Sequence, residues 1–179
     1  VSRGESPGSG PTATGGPGWH IDPDTLLPVI DDEAAFRAAQ RDDPALELLV
    51  LLWSGRPEAA LPLARDLVGL RPTPRHRALH ADVARDLGRT AEAIATYESI
   101  VAETAGTPRE AVMTQHLGKA HWAAGNVAEA EAAFERALFL RIDAGAAEDL
   151  VASSREARDR ARRALDGTAP CPGDTRRLK

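Results

Sequence analysis

Leu117-Gly118-Lys119-Ala120-His121-Trp122-Ala123-Ala124-Gly125-Asn126-Val127-Ala128-Glu129-Ala130-Glu131-Ala132-Ala133-Phe134-Glu135-Arg136-Ala137 reads as an amphipathic helix, a glycine turn and a second amphipathic helix. Two other stretches follow the same template. One runs from His80 to Val101, centred on Leu87-Gly88-Arg89-Thr90-Ala91-Glu92-Ala93; the other runs from Leu46 to Val68, centred on Ser54-Gly55-Arg56-Pro57-Glu58-Ala59-Ala60. Gly55, Gly88 and Gly125 are 33 and 37 residues apart. An alanine stands five residues after each glycine (Ala60, Ala93, Ala130), and Ala64, Tyr97 and Phe134 stand nine after. Seven before stand Leu48, Ala81 and Gly118. Small residues let paired helices approach closely, a larger side chain fills the space between pairs, and glycine supplies the positive φ that ends the first helix.

Over residues 43–142 this pattern resembles the tetratricopeptide repeat, whose period is about 34 residues. The Phe134 copy is the closest to the family pattern, and the first copy is the loosest, with Leu48 and Ala64 where a small and an aromatic residue are usual. The family's helix-ending proline is present only as Pro72; Ile142 replaces it in the last copy, which predicts a second helix running to about Asp143. The resemblance implies an all-α fold: a TPR-like right-handed α-solenoid of three helix-turn-helix pairs with a C-terminal capping helix. The expected repeats are 43–73, 74–107 and 111–144, and residues 146–166 form the cap within a domain spanning 43–166.

Outside the repeats, residues 1–18 are mostly Gly, Pro, Ser and Thr and read as disordered. Residues 19–42 read as an extended arm followed by a short helix over 34–40. Pro23 and Pro28 forbid a long helix, while Trp19, Ile21, Leu26, Leu27, Val29 and Ile30 give the arm something to bury. Residues 167–179 read as a flexible tail. Ala and Leu carry most of a 42% hydrophobic content with only 4% aromatics, a helical composition. The net charge of −5 is mild: residues 31–70 are acidic, residues 71–110 balance, and the tail is basic. Neither nucleic acid nor a membrane surface is implied by that balance. Cys171 is the only cysteine, so the fold does not depend on an internal disulfide. No apolar run approaches membrane-spanning length, and a cytoplasmic location is expected. Val1 in place of Met is compatible with a non-ATG start codon or a trimmed leader, and the Arg-over-Lys bias with abundant alanine suggests a GC-rich bacterial genome.

Little in the sequence points to reaction chemistry. His76 and His80 have the four-residue spacing of a shared metal, but no third ligand is placed to complete the set. His116 and His121 are five apart and diverge around a helix. There is no nucleophile with a base and no phosphate-cradling loop, so neither catalytic residues, a cofactor nor a metal is expected. Arg155, Arg158 and Arg162 share one face of the cap helix, where Glu156 and Asp159 favour a solvated, paired surface.

The resemblance instead implies a concave binding face lined by the first helix of each pair. Counting back ten, six, three and two from each glycine gives Ala45, Leu49, Leu52 and Trp53 in repeat one; Ala78, Asp82, Arg85 and Asp86 in repeat two; and Gln115, Lys119, Trp122 and Ala123 in repeat three. The apolar end invites cover by the short helix. Asp82, Arg85, Gln115, Lys119 and Trp122 are the expected partner-binding groove. Some family members grip a terminal carboxylate with Lys and Asn on these helices, but Ala45 and Leu49 occupy the corresponding places in repeat one and do not support that clamp. The function implied is a non-catalytic scaffold for a protein or peptide partner. The alternative is a self-assembling homo-oligomer whose arm fills its own or a neighbour's groove.

Overall fold

A computed structural model describes residues 15–171; the disordered reading, as far as it concerns residues 1–14, and the flexible-tail reading of 172–179 lie outside the described residues. Helices α1 Glu33–Ala39, α2 Leu46–Trp53, α3 Pro57–Leu70, α4 Pro74–Asp86, α5 Thr90–Thr104, α6 Glu110–Ala124, α7 Val127–Asp143 and α8 Glu148–Leu165 follow in chain order. From α2 onward each packs chiefly on the next, and α4 also touches α6, which is the stacking of an α-solenoid.

The turn inside each repeat is the same object three times. Gly55, Gly88 and Gly125 have φ of 70°, 79° and 81°, a conformation L side chains rarely adopt. Just beyond them, the amides of Arg56, Arg89 and Asn126 donate back to the carbonyls of Leu51, Ala84 and His121 at 2.9, 2.8 and 3.0 Å. These six-to-one bonds satisfy carbonyls that the helix end would leave free. Pro57 and Pro74 open α3 and α4, where a missing N–H costs nothing, and the Thr73 hydroxyl caps α4 by accepting from the His76 amide at 3.2 Å.

Each helix pair is locked by the small and large residues of the template. An added Cβ at Gly118 would lie 2.6 Å from the Phe134 ring, so the two helices of repeat three touch where one has no side chain. Tyr97 and Phe134 are completely buried, as are Ala60, Ala64, Ala93 and Ala130.

The N-terminal segment corrects the sequence reading. Gly15–Gly16 (β1), Trp19–Ile21 (β2) and Pro28–Ile30 (β3) form a three-stranded antiparallel sheet in that order, with Trp19 opposite Ile30 and Ile21 opposite Pro28. The arm is therefore a folded hairpin, and Gly15–Gly16 belong to it rather than to a disordered N-terminus. Proline removes helix as an option but is tolerated on an edge strand, and the β-branched and aromatic residues around it suit a ladder. The short helix α1 is capped by Asp32, whose carboxylate accepts from the Ala35 amide at 3.0 Å.

Candidate functional site

The first helices of the repeats turn one face toward the hairpin, and that contact decides which residues remain accessible. At the repeat-one end, Trp53 packs against Trp19 and Phe36, with ring centroids 5.0 and 5.2 Å apart. Cover by the short helix is thus present, with strand β2 added to it. At the repeat-three end the hairpin loop closes over Trp122. Asp22 builds that loop: its carboxylate accepts from the amides of Asp24 and Thr25 at 3.0 and 2.7 Å and from the Thr25 hydroxyl at 2.9 Å. The loop holds Leu26 at φ 61°, a strained setting for a non-glycine residue, and presses its side chain into a cluster with Trp122, Phe134, Ala157 and Ala161. Trp122 Nε1 donates to the Asp24 carbonyl at 3.2 Å, and the Arg160 guanidinium lies 5.1 Å from the indole centroid. Trp122 is 1% exposed. The sequence projects it toward a partner; in the structure its partner is the chain's own loop.

Asp82, Arg85, Gln115 and Lys119 are also buried, because the hairpin and the neighbouring helices roof the face they line. Arg85 Nη1 lies 2.5 Å from Asp82 Oδ1, and Arg85 Nε donates to Asp86 at 2.8 Å. The Tyr97 hydroxyl sits 2.8 Å from Asp82 Oδ1 and 2.9 Å from the Ala78 carbonyl oxygen, its one proton shared between them. His116 stacks on Tyr97, with Nδ1 3.4 Å from the same carboxylate oxygen. Burial acts to raise the Asp82 pKa, but the Arg85 guanidinium, His116 and the Tyr97 hydroxyl together outweigh it and hold the carboxyl far below its usual range. Asp86, with fewer such partners, is pushed up by burial.

For Lys119 the nearby Asp82 and Asp86 carboxylates offset burial only in part. Burial, helped by the Arg85 guanidinium, pushes its pKa down to about 8, and among the described residues its ammonium makes no hydrogen bond or ion pair. Gln115 is half satisfied. Its Oε1 accepts from Ser154 Oγ at 2.8 Å, while Ser154 itself accepts from Arg141 Nη1 at 2.9 Å. Ser154 is completely buried and has one proton to give, which fixes Oε1 toward it and turns Nε2 away; that Nε2 has no acceptor.

Two openings border this buried row, and Lys119 lines both. One, of about 430 Å³, runs beside α4 and α6 and is walled by Pro28, Trp53, Leu79, Val112 and Met113, with Arg75 and Arg109 beside them. The other, of about 360 Å³, lies between the hairpin loop and α8. Val112, Met113 and Arg109, near the start of α6, lie outside the offsets counted from the glycine, and Ile21, Pro23 and Leu26 become site residues only through the loop. The Asp22-Pro23-Asp24 turn signal is the one sequence feature that could have pointed to that loop.

The remaining sequence candidates do not converge on a site. His76 Nδ1 faces the carbonyls of Leu67 and Arg71 at 3.0 and 2.7 Å, tying α4 to the end of α3 rather than facing His80 across a metal. His121 lies beside Asn126 at 3.5 Å. Among the described residues no group of three His, Cys, Asp or Glu could hold a metal ion. Arg155, Arg158 and Arg162 pair with Glu148, Asp159 and Glu131. No helix among the described residues is long and apolar enough to cross a membrane.

Residues 46–108 and 79–148 match the sequence model of a family described as tetratricopeptide repeat, two overlapping placements that together span more than half of the chain. No curated protein and no solved structure matches the chain.

Proposed function

Because this chain belongs to the tetratricopeptide repeat family, whose repeats are in general protein-interaction scaffolds, we propose that it is a non-catalytic scaffold whose groove beside α4 and α6 takes a peptide or a segment of a protein partner. The observation that carries this reading is the composition of the 430 Å³ groove: an apolar wall of Trp53, Leu79, Val112 and Met113 beside Arg109 and the Arg75–Asp43 ion pair. Val112 is 37% exposed, one of six large apolar side chains open to solvent among the described residues and the one that lines this groove. Such a surface suits an apolar side chain flanked by an acidic group. Asp82, Arg85 and Lys119 line this groove, whereas Gln115 lines the other opening and Trp122 is bonded to the hairpin loop. Panning a random peptide library on the full-length chain should enrich apolar residues next to Asp or Glu. Val112→Glu should weaken the selected peptides by about tenfold or more at unchanged helical content. Absence of enrichment, or peptides indifferent to Val112→Glu, would count against the groove.

A second reading is favoured by the contacts of Trp19 with Trp53 and of Asp24 with Trp122, which seat the hairpin on its own solenoid. The same contacts could form between two copies if the hairpin exchanged, giving a homo-oligomer. Sedimentation of the full chain and of a chain beginning at Asp31 separates the cases. A larger assembly that dissociates on truncation supports exchange; a monomer in both rules it out.

A further inference from the structure

The second cavity, between the hairpin loop and α8, holds donors that nothing among the described residues accepts. Lining it are Lys119, 8% exposed and without a hydrogen bond or ion pair among the described residues, and Gln115, whose buried Nε2 has no acceptor among them. Lys119 feels the cations Arg85 and Arg141 and the carboxylates Asp82 and Asp86, but both carboxylates are already engaged by Arg85, and Arg141 has Asp149 as its counter-charge. Among the described residues Lys119 is thus left, in a desolvated place, with no carboxylate of its own in hydrogen-bond or ion-pair contact. Farther out the rim carries Arg160, Arg163, Glu156 and Asp159, two cations and two carboxylates, with Asp159 held by Arg158, and with Arg160 3.7 Å from Asp24. The walls between are Ile21, Pro23, Leu26 and Ala157, and the volume of about 360 Å³ is at the small end of ligand-sized cavities.

We propose that this cavity binds a small monocarboxylate with an apolar body, its carboxylate receiving hydrogen bonds from the Lys119 ammonium and Gln115 Nε2. A single negative charge gives the Lys119 ammonium a counterion in contact, and two oxygens match two donors. A neutral amide or alcohol would supply an acceptor but leave the ammonium uncompensated. A dicarboxylate would bring its second charge against Glu156 and Asp159, and a phosphate would bring more charge than one ammonium balances. The apolar body lies against Ile21, Pro23 and Leu26, which couples ligand binding to the seating of the hairpin loop on Trp122. The inference does not rest on the peptide groove, although Lys119 borders both.

The test is calorimetric titration of the full-length chain with butanoate, 4-methylpentanoate, octanoate and benzoate, beside their primary amides and succinate. At least one apolar monocarboxylate should bind saturably, with its amide and succinate weaker by about tenfold or more. Lys119→Leu and Gln115→Leu should each weaken it by a similar factor. Ser153→Phe, which narrows only this cavity, should do the same, whereas Val112→Glu in the peptide groove should leave it unchanged. In NMR of the labelled lysine, the bound acid should move the Lys119 titration upward from about 8, a change that general destabilisation does not produce. The proposal is overturned if none of the acids binds, if binding survives Ser153→Phe and Lys119→Leu, or if only a peptide with a free C-terminus binds. Loss of acid binding with intact peptide binding in Ser153→Phe, and the reverse in Val112→Glu, keeps the two sites separate.

Discussion

In repeat three the first helix contributes Gly118 and the second Phe134; in repeat one the first contributes Leu48 and the second Ala64. Both pairs are buried, so the bulk has moved from one helix to the other. A helix pair needs a given volume at that level, and either helix can supply it. Six residues before the turn glycine the difference is chemical: Leu49 in repeat one stands where Lys119 stands in repeat three, and both are buried. Repeat one thus presents an apolar end that Trp19 and Phe36 cover by packing alone. Repeat three presents a buried cation and an indole, and its cover must satisfy hydrogen bonds, which Asp24 does for Trp122. One backbone template can therefore carry opposite surfaces, because its register constrains shape and leaves polarity free.

The largest expected effect tests the equivalence of the two locks. Phe134→Ala should cost about 3–5 kcal/mol and Leu48→Ala about 2–5 kcal/mol in denaturant unfolding at constant m-value. A near-zero cost for Leu48→Ala would show that repeat one is not locked by bulk at all. A smaller effect probes the interchange itself. Ala64→Phe alone should cost about 1–3 kcal/mol by overpacking, and in the Leu48→Ala background it should cost less, so the double variant is more stable than the sum of the singles. Strict additivity would break the comparison.

The smallest change concerns polarity. Lys119→Leu gives repeat three the residue that repeat one has, and should stabilise the unliganded chain by about 1–2 kcal/mol at neutral pH by removing an unpaired buried cation. The folded-state value near 8 is below the ordinary 10.5, so between them the unfolded chain holds a proton that the folded chain has lost. Wild-type stability therefore gains from this group as pH rises across that window, and the advantage of Lys119→Leu should shrink over the same range. Tyr97, whose pKa is raised first by burial and then by Asp82, acts with the opposite sign above its ordinary 10.0, and comparing the two proteins at each pH cancels it. An advantage that stays constant from neutral pH to pH 10 would mean that Lys119 is not the strained group.

The helix pairs were readable because their signals are local and repeated: glycine, alanine five on, a filler nine on, and apolar residues at helical period. The concave positions were readable too, since Asp82, Arg85, Gln115, Lys119 and Trp122 follow from counting turns. Their accessibility was not. Strands of two or three residues carry too little pattern to announce a sheet, and proline in the segment argued only against helix. The bond from Trp122 to Asp24 joins residues 98 apart, and the orphaned Nε2 of Gln115 depends on Ser154 across the cap helix.

Sequence alone determined the solenoid, since turn geometry, helix period and the small-to-large alternation each act within about ten residues and recur three times. Only the tertiary structure decided which face stays open, where the charge goes unpaired and that the loop from Asp22 to Leu27 closes on Trp122. Burial and electrostatic compensation belong to a site's whole surroundings, and here those surroundings come from opposite ends of the chain.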